Sequence, residues 1–250
     1  MKYSGGLLLL IISLVPVSSR QVLPAHSHND YEHSAPLSLA LEHRFKSVEA
    51  DVWLIDGVLR VSHSRPLLPS RCPTFESLYM APLRSVILLN NGTIYPGYDG
   101  EFFLMIDVKG PAEATAKELS LLISSYPDVR EAVTFVVSGN RSIDFILGQE
   151  DPVLTMDGRL DQLGQAIEAE VMPLISDHFR TYFHWKDGDL PAWDRQRLQA
   201  IVEEVHSQGK LLRLWAAPDN PDCWDLLLDH GVDLINTDRI EAFSEWMNHR

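Results

Sequence analysis

Short runs of β-branched and other apolar residues alternate along the chain with longer stretches whose apolar positions recur at helical spacing. The short runs predict strands at 22–25, 47–53, 102–108, 132–137, 152–155, 172–176, 211–216 and 234–237. Leu37, Leu39, Ala40 and Leu41 mark one intervening helix, and 112–125, 198–208 and 223–230 mark three more. Gly209 and Gly231 stand where C-caps are expected for the last two. Strands alternating with helices predict a parallel sheet with crossover connections. Eight such strands predict an α/β fold of the closed TIM-type (β/α)8 kind. No glycine-rich phosphate loop follows the first strand, which argues against an open doubly wound sheet. A ribbon at 58–61 and a loop through Asn91 read as an insertion after the second strand.

The first 19 residues fall outside that pattern. Lys2, the apolar run from Leu7 to Val15, and Val17 and Ser19 before a cleavage point have the layout of a signal peptide. Residues 20–250 then form a single barrel domain with no further apolar span. Secretion is the expectation, and it changes how three other features read. Cys72 and Cys223 become a possible disulfide at the barrel mouth. Asn91-Gly92-Thr93 and Asn140-Arg141-Ser142 become possible glycosylation sites. The formal charge of −14, from 35 acidic and 21 basic residues, argues against nucleic acid or an anionic membrane as an electrostatically driven partner. It also implies that a phosphate-bearing substrate needs a cation in the site. Oligomeric state is not legible from the chain.

In an α/β barrel the chemistry collects at the carboxyl ends of the strands. Glu49, Asp51 and Trp53 share one face of the second strand, because side chains two apart point the same way. If that face is the inside, two carboxylates converge near the mouth and repel unless a cation lies between them. Asp107, ending the next strand, offers a third oxygen ligand, and such a set suits Mg²⁺ or Ca²⁺. His26, His28 and His63 fall at the same end, as an acid–base pair around a metal-bound phosphate requires. Lys109 shares a face with Asp107 and, with Arg213 and Trp215 of the seventh strand, is a candidate substrate-binding residue. These acids have a plainer reading as structural ion pairs with Lys109 or Arg213.

The order Ala25-His26-Ser27-His28, Glu49-x-Asp51, Asp56-Gly57 to His63, Ile106-Asp107-Val108-Lys109, Trp215 and Thr237-Asp238 resembles the glycerophosphodiester phosphodiesterase superfamily. That superfamily includes the spider-venom phospholipase D (sphingomyelinase D) enzymes. The opening His-Ser-His-Asn-Asp-Tyr and the Glu-Ala-Asp-Val-Trp strand are most similar to its altered inheritance of mitochondria protein 6 branch. The resemblance covers about residues 22–240. It implies a TIM-type barrel, one divalent metal on Glu49, Asp51 and Asp107, and acid–base catalysis by His63 with His26 or His28. It further implies a phosphodiester hydrolase or lyase acting on a small glycerophosphodiester-like or lysophospholipid-like substrate. Two positions depart from the family pattern: Ser27-His28 replaces Arg-Gly after the first histidine, and Ser64 replaces Asp after the second. Two other readings use the same residues. One is an amidohydrolase-like zinc hydrolase built on His26-x-His28 with Asp238 as base and His178 as a further ligand. The other is a secreted binding protein that keeps the barrel without turnover.

Overall fold

The computed structural model of the chain describes residues 21–185, 188 and 190–250. Among the described residues nine strands form: β1 Leu23–Ser27, β2 Phe45–Ile55, β3 Val58–Val61, β4 Phe103–Val108, β5 Thr134–Gly139, β6 Thr155–Gly158, β7 Leu174–His178, β8 Leu211–Trp215 and β9 Ile235–Thr237. Eight run parallel in the order β8-β7-β6-β5-β4-β2-β1-β9, and β3 pairs antiparallel with the extended end of β2 as a ribbon. A bridge between Arg213 and Leu234 joins the two ends of this path and closes the ring. Backbone bonds from Asp233 and Leu234 to the Leu212 carbonyl, at 3.1 and 3.2 Å, reinforce the seam. The predicted barrel is the observed one.

Alternation along the strands makes two cores. Val48, Ala50, Val52, Leu104, Ile106 and Val137 face outward into the layer between barrel and helices. Phe103, Met105, Val136, Leu174 and Leu234 face inward as a small apolar plug. Above that plug the inward positions turn polar. Ser47, Glu49 and Asp51 of β2 are buried inside the barrel, and Asp51 stands in register with Asp107. Two carboxylates therefore meet on neighbouring strands because one is two residues above Glu49 and the other two above Met105.

Where the elements differ from the sequence reading, local hydrogen bonding supplies the reason. The strand expected at 152–155 is β6 at Thr155–Gly158. The Gln149 side chain accepts from Val153 and Leu154 N–H and donates to the Leu154 carbonyl, so those groups have no need of a sheet. The strand is thereby moved on to end at Gly158, just past Asp157. The insertion after β3 is not a plain loop: Phe75, Tyr79, Leu83 and Ile87 are buried at four-residue spacing on a π-helical turn, Glu76–Met80, and a helix, Ala81–Leu89. The expected Cys72–Cys223 bond is not formed, and both thiols are free. Cys223 lies in the first turn of helix Pro221–Asp229 rather than a mouth loop, and its side chain is turned into the core, where burial pushes the thiol up to about 12. Asn91 and Asn140 are both exposed. The expected signal peptide lies outside the described residues. Among the described residues no helix is long and apolar enough to cross a membrane.

Gly139 ends β5 with φ of +66°, and a Cβ there would meet Asp107 Oδ1 at 2.0 Å and the Val108 carbonyl at 2.8 Å. This glycine is what lets Asp107 stand upright at the mouth. Gly139→Ala should cost about 1–3 kcal/mol of stability from the left-handed backbone and the clash together. Denaturant unfolding measures it, and a midpoint equal to the parent's would show that Asp107 moves aside freely.

Candidate active site

The lowest charged layer of the barrel is a closed set of partners. Glu49 Oε2 accepts from Arg213 Nη2 at 2.7 Å and lies 2.8 Å from His26 Nε2, while His26 Nδ1 lies 2.7 Å from Ser47 Oγ. Arg213 also donates to Asn236 Oδ1, to Ser176 Oγ at 3.1 Å and to the Met105 sulfur at 2.9 Å. All five of its N–H groups are spent. Burial works to raise the Glu49 carboxyl, but the Arg213 guanidinium and the His26 contact hold it well below the usual carboxylate range. Burial and the same guanidinium push His26 down to about 3, so its ring is neutral. Arg213, expected to touch substrate, is instead the buried counter-ion of Glu49 with no donor left over.

One level up, the acids reach the mouth. Asp51 Oδ2 accepts from Tyr31 OH at 3.0 Å, lies 2.9 Å from His63 Nδ1, and is 3.3 Å from Lys109 Nζ. Lys109 donates to Asp107 Oδ2 at 2.6 Å, so one ammonium spans both acids. Burial works to lower the Lys109 ammonium, but Asp107 and Asp51 raise it above its ordinary value. Burial raises the Asp51 carboxyl, with Asp107 adding to the effect and Lys109 opposing it. Glu49, Asp51 and Asp107 each bring an oxygen within 4.8 Å of the others. Asp51 Oδ1 is buried with no hydrogen-bond partner.

The two strand-one histidines, which sequence leaves open, are separated by depth. His26 is fully buried and both ring nitrogens are engaged. His28 is at the rim, its Nδ1 2.7 Å from Asp238 Oδ1 and its Nε2 without a partner among the described residues. Burial works to lower His28, but the hydrogen bond to Asp238 and the Glu49 charge raise it above its ordinary value. His63 has the same arrangement, Nδ1 on a carboxylate and Nε2 free, and its side chain is 63% exposed. Asp51 thus does for His63 what the missing acid at Ser64 does not. Trp215, at the end of β8, is half-buried and meets the His178 ring edge-on at 4.4 Å.

Sequence reasoning missed three contributors. Asp30 is buried and accepts from Ser27 Oγ at 2.9 Å, Leu37 N at 2.6 Å and Tyr79 OH at 3.1 Å. It ties down the loop that aims Tyr31 at Asp51. Asp157, the penultimate residue of β6, is buried, with Arg159 and Arg141 paired to it and Ser138 donating at 2.8 Å. Its signal, an acid at a strand end, was legible only with the correct end of β6. The Gly139 cradle carries no sequence signal beyond a glycine after a strand.

Two outcomes follow from these ionisation states. Histidine-resolved NMR should show His28 taking its proton at a pH above the ordinary 6.5, while His26 remains neutral as pH falls to 5.5. The unfolded chain protonates His26 near 6.5 and the folded chain only near 3, so this residue costs stability progressively as pH drops below 6.5. His28 works the other way, adding stability below 6.5 that is lost as pH rises through its higher folded value. A His26 titration near 6.5 would contradict the buried pairing. Glu49→Gln leaves Arg213 buried without a counter-charge and should cost about 3–5 kcal/mol. Asp51→Asn relieves repulsion and should keep or gain stability in metal-free protein. Equal losses in thermal unfolding of the two variants would reject this division.

Residues 17–152 match the AIM6-like phosphodiesterase domain. Altered inheritance of mitochondria protein 6 of Eremothecium gossypii is 30% identical over 93% of this chain and 70% of its own length. A homolog of that protein in Arthroderma benhamiae is 25% identical over 88% of this chain and 82% of its own. A glycerophosphodiester phosphodiesterase from Parabacteroides distasonis shares the fold, with a TM-score of 0.60 at 16% identity over 90% of this chain and 96% of that one. A putative glycerophosphoryl diester phosphodiesterase from Agrobacterium tumefaciens does so with a TM-score of 0.54 at 20% identity, over 90% and 98%. With the matched domain covering more than half its length, the chain belongs to the AIM6-like phosphodiesterase family.

Proposed function

We propose that the chain is a divalent-metal-dependent phosphodiesterase, hydrolase or lyase, acting on a small glycerophosphodiester-like or lysophospholipid-like substrate outside the cell. The observation that carries this reading is the pattern of spent and unspent oxygens in the three-acid cluster. Arg213, His26, Tyr31, His63 and Lys109 all engage Glu49 Oε2, Asp51 Oδ2 or Asp107 Oδ2. The second oxygen of each carboxylate has no partner among the described residues, and that of Asp51 is buried. An all-oxygen set of this kind fits Mg²⁺ or Ca²⁺. When bound, such an ion offsets charge on the phosphate's non-bridging oxygens.

The chain's own groups do the rest. His63 Nε2 takes the proton of the attacking water or hydroxyl as the new bond to phosphorus forms. His28, whose affinity for a proton Asp238 and Glu49 raise against the effect of burial, gives its proton to the leaving oxygen as the old bond breaks. The carboxylate on each Nδ1 fixes the tautomer and the ring orientation. His26 is a positioning residue for Glu49. Lys109 can turn a remaining N–H toward the phosphate, and Trp215 walls the pocket. The zinc reading loses support because both nitrogens of His26 are engaged below the mouth. Among the described residues the three acids are the one group of His, Cys, Asp and Glu close enough to hold an ion. Secretion is supported by the leader pattern and by the exposure of both sequon asparagines.

The purified protein should cleave members of a phosphodiester panel, lose that activity to a chelator and regain it with Mg²⁺ or Ca²⁺. His28→Ala and His63→Ala should each lower turnover by roughly 10²–10⁴-fold, the usual size of general acid–base effects, with little change in substrate affinity. Full turnover in His63→Ala would reject the two-histidine mechanism. Substrate binding without cleavage in the parent would favour the non-catalytic barrel.

A further inference from the structure

Loop 62–72, at the barrel mouth, contributes no residue to the hydrophobic core. It leaves β3 just before His63 and returns beside it. Val61 N donates to the Pro73 carbonyl at 3.0 Å, Arg60 bridges Thr74, and the Arg60 guanidinium donates to the Cys72 carbonyl at 2.9 Å. Inside the loop, Ser62 Oγ donates to the Ser64 carbonyl at 2.8 Å, and Arg71 and Cys72 N–H close a tight turn on Leu68 and Pro69. Pro66 and Pro69 restrict the backbone on either side of the tip. It is a closed, self-bonded surface loop.

Its tip carries Leu67, 97% exposed, and Leu68, 57% exposed. A single exposed leucine needs no explanation. Two in succession, held outward by a pinned loop next to a candidate catalytic histidine, do. The charge of the segment is equally at odds with the rest of the molecule. Residues 57–75 hold Arg60, Arg65 and Arg71 and no acidic residue, in a chain of net charge −14. Arg65 and Arg71 flank the tip and are exposed. Charges farther than about 8 Å are screened at physiological ionic strength, so an approaching surface meets the loop's cations before the acidic remainder.

We infer that loop 62–72 docks the barrel mouth on an anionic lipid surface, with Leu67 and Leu68 entering the headgroup–acyl boundary and Arg65 and Arg71 meeting lipid phosphates. The shape favours lipid over an acidic protein. The exposed leucines are flanked by exposed Ser64 and Ser70, an apolar patch of two side chains that suits a fluid layer and is too small for a packed protein interface. The docking reverses, at one place on the surface, the expectation that net charge sets against an anionic membrane. Its consequence for the substrate, a diester drawn from a lipid layer past His63, rests on the phosphodiesterase reading above.

Co-sedimentation of the purified protein with phosphatidylcholine vesicles, with and without phosphatidylserine, tests the docking without any turnover. Binding should favour the anionic vesicles and weaken with salt. The double variant Leu67→Ser/Leu68→Ser should bind roughly a hundredfold less well, at about tenfold per leucine, with an unchanged thermal midpoint. Arg65→Gln should lower binding to anionic vesicles about fivefold. A parent that ignores phosphatidylserine overturns the inference, as does a leucine variant that binds like the parent. The latter result, combined with an Arg65 effect, would mean a purely electrostatic surface for an acidic partner. Cleavage of a water-soluble diester is read separately and should be equal in parent and leucine variant. Absence of cleavage in both rejects the phosphodiesterase reading and leaves the vesicle result standing.

Discussion

Mutual repulsion among Glu49, Asp51 and Asp107 is the constraint around which this barrel is arranged. With ligand oxygens within 4.8 Å of one another, each ionised pair opposes folding by about 3–4 kcal/mol at an effective dielectric constant of 20. Neighbouring cations and donors are committed to that cluster. Arg213 supports Glu49 from below, Lys109 spans Asp51 and Asp107, and Tyr31 and His63 donate to Asp51. The second oxygens have no partner among the described residues, and that of Asp51 is buried. The geometry that makes the cluster costly to hold is one whose repulsion a bound cation would relieve.

Depth, more than identity, decides what each histidine does. His26 and His28 are two residues apart, yet one sits in the closed layer with Arg213 and the other at the rim with Asp238. Burial beside a guanidinium keeps the first neutral. A carboxylate partner and partial exposure keep the second ready to carry a proton. The chain departs from the family pattern at Ser27-His28 and Ser64, and the structure absorbs both departures. His28 presents the free nitrogen, and Asp51 orients His63.

The mouth combines an acidic floor with a basic, apolar lip. Net charge describes neither, because each is a local arrangement whose reach is limited by screening. Asp30 and Gly139 hold parts of this mouth without touching the chemistry. One anchors the β1 loop through three hydrogen bonds, and the other leaves room for Asp107.

What the sequence determined by itself was the periodic part. Alternation of period two placed Glu49 and Asp51 on one face, strand–helix order implied a closed parallel barrel, and strand ends nominated Asp107, Lys109, His63 and one of His26 and His28. These are local properties, carried by neighbouring residues and their backbone geometry. The tertiary structure alone decided the partnerships. Arg213 lies 164 residues from Glu49 and Asp238 lies 210 from His28, and each pair meets only because the ring closes. The end of β6, and with it Asp157, depended on a side-chain amide satisfying two backbone groups that a propensity reading assigns to a sheet. Which carboxylate oxygen is spent, which ring nitrogen is free and which arginine is buried are set by packing in three dimensions. No spacing along the chain encodes them.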